Sequence, residues 1–290
     1  MLTNIRQDLL FMAGCIPTAV LCAAAMLERR KRKSRGERPA ISDKLLRPPG
    51  WSLQIQIENL NDDYVTLMLT AFVCSLASVG ALGFPPADVL GRSMWLSVAA
   101  IGAAICSIKA WRKQRRMRRL RLGWMGEQAM AEYLGKLASG GCRLFHDVPL
   151  DGENVDHVVV GPPGVFAVET KCWSKRPGAF NPVAHQVLFD GKAIRFPWGI
   201  TERPLNQARR NKKFLEAFLS KSTGERVAVQ PIVALPGWWV SLATKQDCGV
   251  WVLSGKQVAE CIAGEPPKLS PKMIQQVAYQ LDQKCRDFQL

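Results

Sequence analysis

Residues 155–171 constrain this chain more than any other stretch. Two β-branched, almost chargeless runs, Val155 to Val160 and Val165 to Val168, stand either side of a Gly161-Pro162-Pro163-Gly164 break. That pattern predicts a β-hairpin. Centring the turn between Pro162 and Pro163 puts Asp156 directly opposite Glu169, with Cβ atoms roughly 5 Å apart. Lys171 lies two residues beyond Glu169 and shares its face, because side chains alternate along a strand. Pro-Pro is not a favoured two-residue turn, and a one-residue slip would put the acids on opposite faces. Two opposed carboxylates repel each other unless a cation sits between them. A divalent ion would remove the penalty, and an all-carboxylate pair suits Mg²⁺ or Mn²⁺. The alternative is a solvated strand face with ordinary charges. Against it, the strands are otherwise Val, Phe and Ala, as in strands buried on both faces, where an unpaired charge is costly.

Three blocks in order carry a resemblance: Gly123-Trp124-Met125-Gly126-Glu127, then Val155 to Pro162, then Gly164 to Lys171. Together they resemble the nuclease-related domain family, within the PD-(D/E)XK endonuclease-like superfamily, over roughly residues 123–255. The resemblance implies an α/β fold, a restriction-endonuclease-like mixed sheet flanked by helices. It implies a helical acid at Glu127, metal ligands at Asp156 and Glu169, and a catalytic lysine at Lys171. Gln207 and Asn211, within Pro204 to Asn211, resemble the family's later Gln-containing helix.

The rest of the chain predicts where such a site would work. Leu9 to Leu27 and Val65 to Phe84 carry no charge, and neither does Met94 to Ile108, which extends to Trp111 around Lys109. The first two meet the length for a transmembrane helix, and the third does if Lys109 snorkels. Three transmembrane α-helices are therefore expected ahead of the nuclease-like part. The basic residues sort by position. Residues 28–38 carry seven Lys/Arg against two Glu, and residues 109–121 carry eight Lys/Arg and no acid. These stretches hold most of the net charge of +15, so the charge is a topology signal more than evidence of nucleic-acid binding. Both follow an apolar run, which places both on the cytoplasmic side. The expected order is a transmembrane helix at 1–27, a basic cytoplasmic loop at 28–64, a transmembrane hairpin at 65–111, a basic linker at 112–122 and the nuclease-like domain at 123–290. The N-terminus would lie outside an inner membrane and the C-terminal domain in the cytoplasm. A competing reading makes residues 1–25 a cleaved signal peptide, but the positive charge follows the apolar run instead of preceding it.

Other classes find little support. The apolar runs have no Asp, Glu or Arg inside them, which argues against a transport pathway. Nine cysteines show no C-x-x-C and no His partner at zinc spacing, so neither a zinc site nor a disulfide framework is indicated. His157 and Cys172 alternate away from the acids and read as core residues. Leu53, Ile55 and Ile57 alternate with Gln54, Gln56 and Glu58, a half-buried strand pattern.

Within the domain, helices are expected at Gly126 to Leu137, Leu205 to Leu219 and Pro271 to Arg286. Strands are expected at Leu144 to Leu150, in the hairpin, at Val227 to Leu235 and at Gly249 to Leu253. The expected function is a membrane-anchored, Mg²⁺- or Mn²⁺-dependent nuclease acting on DNA more than RNA. Asp156, Glu169 and Glu127 would be metal ligands, Lys171 would stabilise charge, and Gln207 would position the phosphate. Membrane lipid is a further expected partner through the basic runs, and the alternative is a membrane-tethered nucleic-acid-binding scaffold without turnover.

Overall fold

The computed structural model describes residues 44–83, 89–150, 153–175, 185–243 and 248–286. They fall into two compact units, Glu58–Met117 on one side and Asp43–Ile57 with Arg118–Gln289 on the other.

The first unit consists of the body of α1 (Trp51–Gly83) and the first part of α2 (Val89–Gly135). Lys113 pairs with Asp63. Met94, Val98, Ile101, Ile105 and Ile108 of α2 are all exposed. They recur at alternating four- and three-residue steps, which places them on one helix face.

Three transmembrane helices are not what the described residues form. None of their helices is long and apolar enough to cross a membrane. The stretch Leu9 to Leu27 lies outside the described residues, and Val65 to Phe84 is described only in part. The second and third apolar stretches are, in their described residues, segments of longer helices with polar parts. Helix α1 opens on turns containing Gln54, Gln56, Glu58, Asp62 and Asp63, and α2 runs through the basic stretch to Glu127 and beyond. Residues 112–122 are helix interior, and the boundary between the two units, at Met117 and Arg118, falls within them.

The second unit is a mixed α/β fold. Its main sheet has the order β1 (Arg143–Pro149), β2 (Asn154–Gly161), β3 (Gly164–Thr170), β7 (Val229–Leu235), β9 (Trp251–Ser254). The first three strands are antiparallel, and β7 and β9 run parallel to β3. Helices α3 (Arg203–Thr223) and α5 (Pro271–Cys285) cover one face, where Leu215, Leu219, Val277 and Leu281 pack on Val158, Val160 and Ala167. The C-terminal part of α2 and helix α4 (Gly255–Ala263) cover the other. There Met130, Leu134 and Ile262 pack on Val159, Phe166 and Val168. A smaller mixed sheet has the order β6 (Gly199–Thr201), β5 (Ile194–Phe196), β4 (Gln186–Phe189), β8 (Trp239–Leu242). Its inner face joins Leu205, Ala208, Val233 and Trp238 in a third cluster.

The hairpin β2–β3 has its two-residue turn at Pro162 and Pro163, with Gly161 paired to Gly164 and His157 to Val168. The Pro162 carbonyl accepts from the N–H groups of Lys268 and Leu269, so the segment before α5 braces a turn whose own residues offer no donors.

Residues 51–57 are helix, not strand. The reason is tertiary. Asp147 on β1 receives the Ser52 N–H on Oδ2 at 3.1 Å and the Ser52 hydroxyl on Oδ1 at 2.6 Å. It thereby caps the first turn of α1 from 95 residues away. Arg47 donates to the Asp147 carboxylate at 3.3 Å and to its carbonyl at 3.0 Å, and Asn154 adds a bond at 3.1 Å. Asp147 adopts φ 48°, a left-handed conformation that Asp tolerates better than most residues, and these bonds hold it there. Gly50 turns the chain into α1 at φ 71°, where a Cβ would come 2.7 Å from Trp124 Cδ1. Gln128 donates to the Pro49 carbonyl at 2.8 Å. Residues 44–57 are therefore bound to the α/β unit at several points.

Candidate active site

The acids meet where β3 ends. Asp156 on β2 and Glu169 on β3 lie on the sheet face covered by α3, since Val158 and Ala167, which share their faces, pack in that cluster. A cleft of about 570 Å³ opens there, and Glu127, Asp156, Glu169, Lys171 and Gln207 all line it. Every residue expected at the site thus reaches one cavity.

Glu169 is the most constrained of them. It is 1% exposed, with Oε1 2.6 Å from Lys171 Nζ and Oε2 accepting from Asn211 Nδ2 at 2.8 Å. Asn211, itself buried, hangs from α3 one turn after Gln207, so the helix that carries Leu215 and Leu219 into the core also sets this bond. Asp156 Oδ2 accepts the Thr170 N–H at 2.6 Å. The two acids are thus tied across the hairpin by the backbone beside Glu169.

Glu127 arrives from the other side of the sheet. Gly126 allows it: a Cβ there would lie 2.6 Å from the Cys172 Cβ, so only glycine lets α2 pass so close to the end of β3. Glu127 is 6% exposed. Its carboxylate receives the Gly50 N–H, but Oε2 meets no hydrogen-bond partner among the described residues. Cys172, expected as a core residue on the opposite strand face, follows the strand end and lines the cleft. The regular alternation that placed it in the core stops at Thr170.

The electrostatics of the cluster are strained. Burial, then the charges of Asp147 and Glu169, push the Glu127 carboxyl up to about 8. Burial and the charges of Glu169 and Glu127 hold Asp156 well above the usual carboxylate range. Glu169 is raised by burial, against the lowering influence of Lys171 and Asn211. Burial alone would lower the Lys171 ammonium, but the carboxylates of Glu169 and Asp156 outweigh it and hold the group above its ordinary value. Two buried acids and the half-buried Asp156, set against one lysine, stabilise added positive charge.

The three acids do not converge into a ready-made cage. Among the described residues, no group of three or more His, Cys, Asp or Glu side chains stands close enough together to hold a metal ion. Protein donors explain it: Thr170 takes an oxygen of Asp156, and Asn211 and Lys171 take those of Glu169. Mg²⁺ is nevertheless bound through one or two carboxylates together with waters and substrate phosphates. The oxygen donors of Asp156 and Glu169, with the unpartnered Oε2 of Glu127 in the same cleft, fit that chemistry.

Sequence reasoning missed part of the wall. Ser52, Leu53 and Gln56 of α1 line the cleft, as does Trp173. Asp147, which docks α1, sat in an ordinary strand pattern, and the residues just before Trp51, Arg47-Pro48-Pro49-Gly50, include no Ser, Thr, Asp or Asn to signal a cap. The basic face expected on α3 is partly neutralised, with Arg210 2.8 Å from Glu153 at the cleft rim.

Residues 122–236 match the family model of the nuclease-related domain. No curated protein matches the chain. A solved structure described as Pyrococcus furiosus SfsA in complex with Ca²⁺ is similar at 17% identity, over 47% of this chain and 56% of that one, with a TM-score of 0.23. The chain thus spans little more than half of that protein, and at that score the likeness carries no weight for fold or function.

Proposed function

We propose that the α/β unit is a metal-dependent phosphodiesterase acting on nucleic acid, DNA more than RNA. The observation that carries this is the convergence of Asp156, Glu169 and Lys171 on one cleft, inside a nuclease-related domain. Asp156 and Glu169 would hold Mg²⁺ or Mn²⁺, with Glu127 completing the oxygen set. A bound divalent ion supplies Lewis acidity and an activated water. Lys171, 30% exposed and 2.6 Å from Glu169, presents an ammonium to charge developing on the phosphate. Asn211 keeps Glu169 in place, and Gln207 offers an amide to a phosphate oxygen.

The test is cleavage of a labelled duplex by the full chain with Mg²⁺, with Mn²⁺ and with EDTA. Metal-dependent cleavage that Lys171→Ala abolishes is the expected result. Equal cleavage by Lys171→Ala and wild type would remove the reading. A second reading, nucleic-acid binding without turnover, is favoured by the Lys171–Glu169 ion pair and by the lack of a three-acid group among the described residues. Calorimetric Mg²⁺ titration separates the two, because an occupied site releases heat or raises the melting temperature.

We also propose that the chain is held at a bacterial inner membrane with this unit in the cytoplasm. The support is the chargeless stretch Leu9 to Leu27, the two basic runs and the exposed apolar row on α2. Basic residues near anionic lipid add about 1 kcal/mol each. Release of the full chain from cell membranes by alkaline carbonate would overturn this proposal.

A further inference from the structure

Beside the acids the cleft has a second kind of wall. Trp173, two residues past Lys171, lines the cleft. Its ring meets Phe196 edge-on at 4.6 Å. Phe196 stacks on Trp198 at 5.0 Å with an interplanar angle of 19°, and Trp238 meets both of these rings edge-on, at 5.6 and 5.1 Å. Lys175 places its ammonium 5.7 Å from the Trp238 ring centroid. Four aromatic rings thus run unbroken from the cleft wall to the surface.

The surface member is Trp198. It occupies the Pro197-Trp198 turn between β5 and β6 and is 37% exposed. Tight turns select Gly, Asn, Asp and Pro for their backbone conformations, so a large aromatic there gains nothing as a turn former. One face of its ring stacks on Phe196 and Trp238 meets it edge-on, which limits the rotamer freedom to be lost on binding a second ring.

Resting on the nuclease reading above, we infer that Trp198, on its Phe196–Trp238 support, is a stacking platform for an unpaired base of a strand leaving the cleft. The occupant follows from chemistry. A strand whose phosphate lies at Lys171 continues past Trp173, meeting an ammonium at Lys175 and a π-face at Trp198. Alternating cation and aromatic is what single-stranded nucleic acid requires of a surface, phosphate to cation and base to ring. Inside a duplex every base face is stacked on its neighbours and only the terminal pairs are open, so duplex gains little from Trp198.

The other face of the same small sheet supplies an internal control. Strand alternation and register put Trp239 with Gln186, and Leu188 with Arg195 and Ile200, on the face opposite Phe196. Trp239 is 68% exposed, more than Trp198. General stickiness of exposed indoles therefore predicts the larger effect at Trp239, and the platform predicts it at Trp198.

The experiment measures fluorescence anisotropy of a labelled 15-nucleotide oligo-dT and of a 15-base-pair duplex with the full chain in EDTA, where no metal-dependent cleavage proceeds. Trp198→Ala should weaken single-strand binding about tenfold and leave duplex binding within about twofold. Trp198→Phe should restore most of the loss, and Trp239→Ala should match wild type on both probes. Single-strand binding that is absent in wild type, unchanged in Trp198→Ala, or equally weakened by Trp239→Ala overturns the inference. Circular dichroism of Trp198→Ala checks its fold; where that variant unfolds, Trp198→Leu, apolar but without a π-face, carries the decision, with weakened single-strand binding expected and wild-type binding overturning the inference. The outcomes separate from those of the nuclease reading: full metal-dependent cleavage with no Trp198 effect removes the platform alone. A Trp198 effect without any cleavage removes the nuclease alone.

Discussion

Asp156 and His157 are neighbours on one strand, and they sit in opposite electrostatic situations. Asp156 faces the cleft with Glu169, Glu127 and Lys171. His157 faces the other way, is fully buried, and pairs across the ladder with His146, their Nδ1 atoms 2.8 Å apart. Burial pushes the His146 imidazole down to about 4, and burial with the His146 charge pushes His157 well below its ordinary value. The pair resolves its burial by staying neutral, one ring donating to the other. The acids relieve theirs in part by taking up protons, since burial and their mutual charges hold Glu127 up to about 8 and Asp156 well above the usual carboxylate range, whereas a cation among them would favour the charged forms. One face of β2 contributes to stability, and the other holds a frustrated charge cluster of the kind found at functional sites.

The contrast should break first in activity. Asp156→Asn should lower cleavage by about 10²–10³-fold, the range seen when one transition-state contact is removed. Its melting temperature in EDTA should equal or exceed that of wild type, because Asn keeps an acceptor for the Thr170 N–H and removes one of the repelling charges. A strongly destabilised Asp156→Asn in EDTA would show a structural residue instead.

His157→Ala should do the reverse. Losing a buried ring and leaving His146 without its partner should cost about 3 kcal/mol in a denaturant titration, with cleavage per folded molecule unchanged. A variant as stable as wild type but inactive would move the histidines into the site.

The pH dependence sharpens the comparison. Glu127 has a folded pKa of about 8 against an ordinary 4.5, so its contribution is present below pH 4.5 and is lost as pH rises towards 8. Glu127→Gln in EDTA should therefore gain stability at pH 8, on the order of 2 kcal/mol, and little at pH 4.5. His146, about 4 in the folded protein against 6.5, has the opposite sign: its contribution is present above pH 6.5 and is lost as pH falls through 4. Melts from pH 4 to 8 should show both limbs in wild type and a shallower fall towards pH 8 in Glu127→Gln, where the raised Asp156 and Glu169 still titrate.

The smallest effect belongs to the docking of α1. Ser52→Ala removes the 2.6 Å bond to Asp147 and should cost about 1 kcal/mol. Urea titration of the full chain reads it, and no change would mean that Arg47 and the Ser52 N–H hold the helix start without the hydroxyl.

Much of the site was legible because its parts are local. The hairpin placed Asp156 and Glu169 on one face through strand alternation, which depends only on backbone geometry and on the turn's position. Gly126 and Glu127 were legible as a motif, and the reason for the glycine, its approach to Cys172, needed coordinates. Helix α3 and helix α5 followed from apolar spacing. By contrast, alternation at Leu53, Ile55 and Ile57 suggested a strand, and a cap from Asp147 made it a helix. Charge-free stretches suggested three membrane helices, yet the helices that hold the second and third extend into polar segments, and hydropathy counted along the chain does not register where a helix begins or ends.

The sequence by itself determined the β2–β3 hairpin, its register, the three acids with their lysine, and the helices with apolar periodicity, since each depends on neighbours a few residues away. Only the tertiary structure decided which donors take the carboxylate oxygens, that Ser52, Leu53 and Gln56 wall the cleft, and that Trp173 and Trp198 belong to one row of rings. These are contacts between residues up to about a hundred positions apart, and they arise from packing that no local pattern encodes.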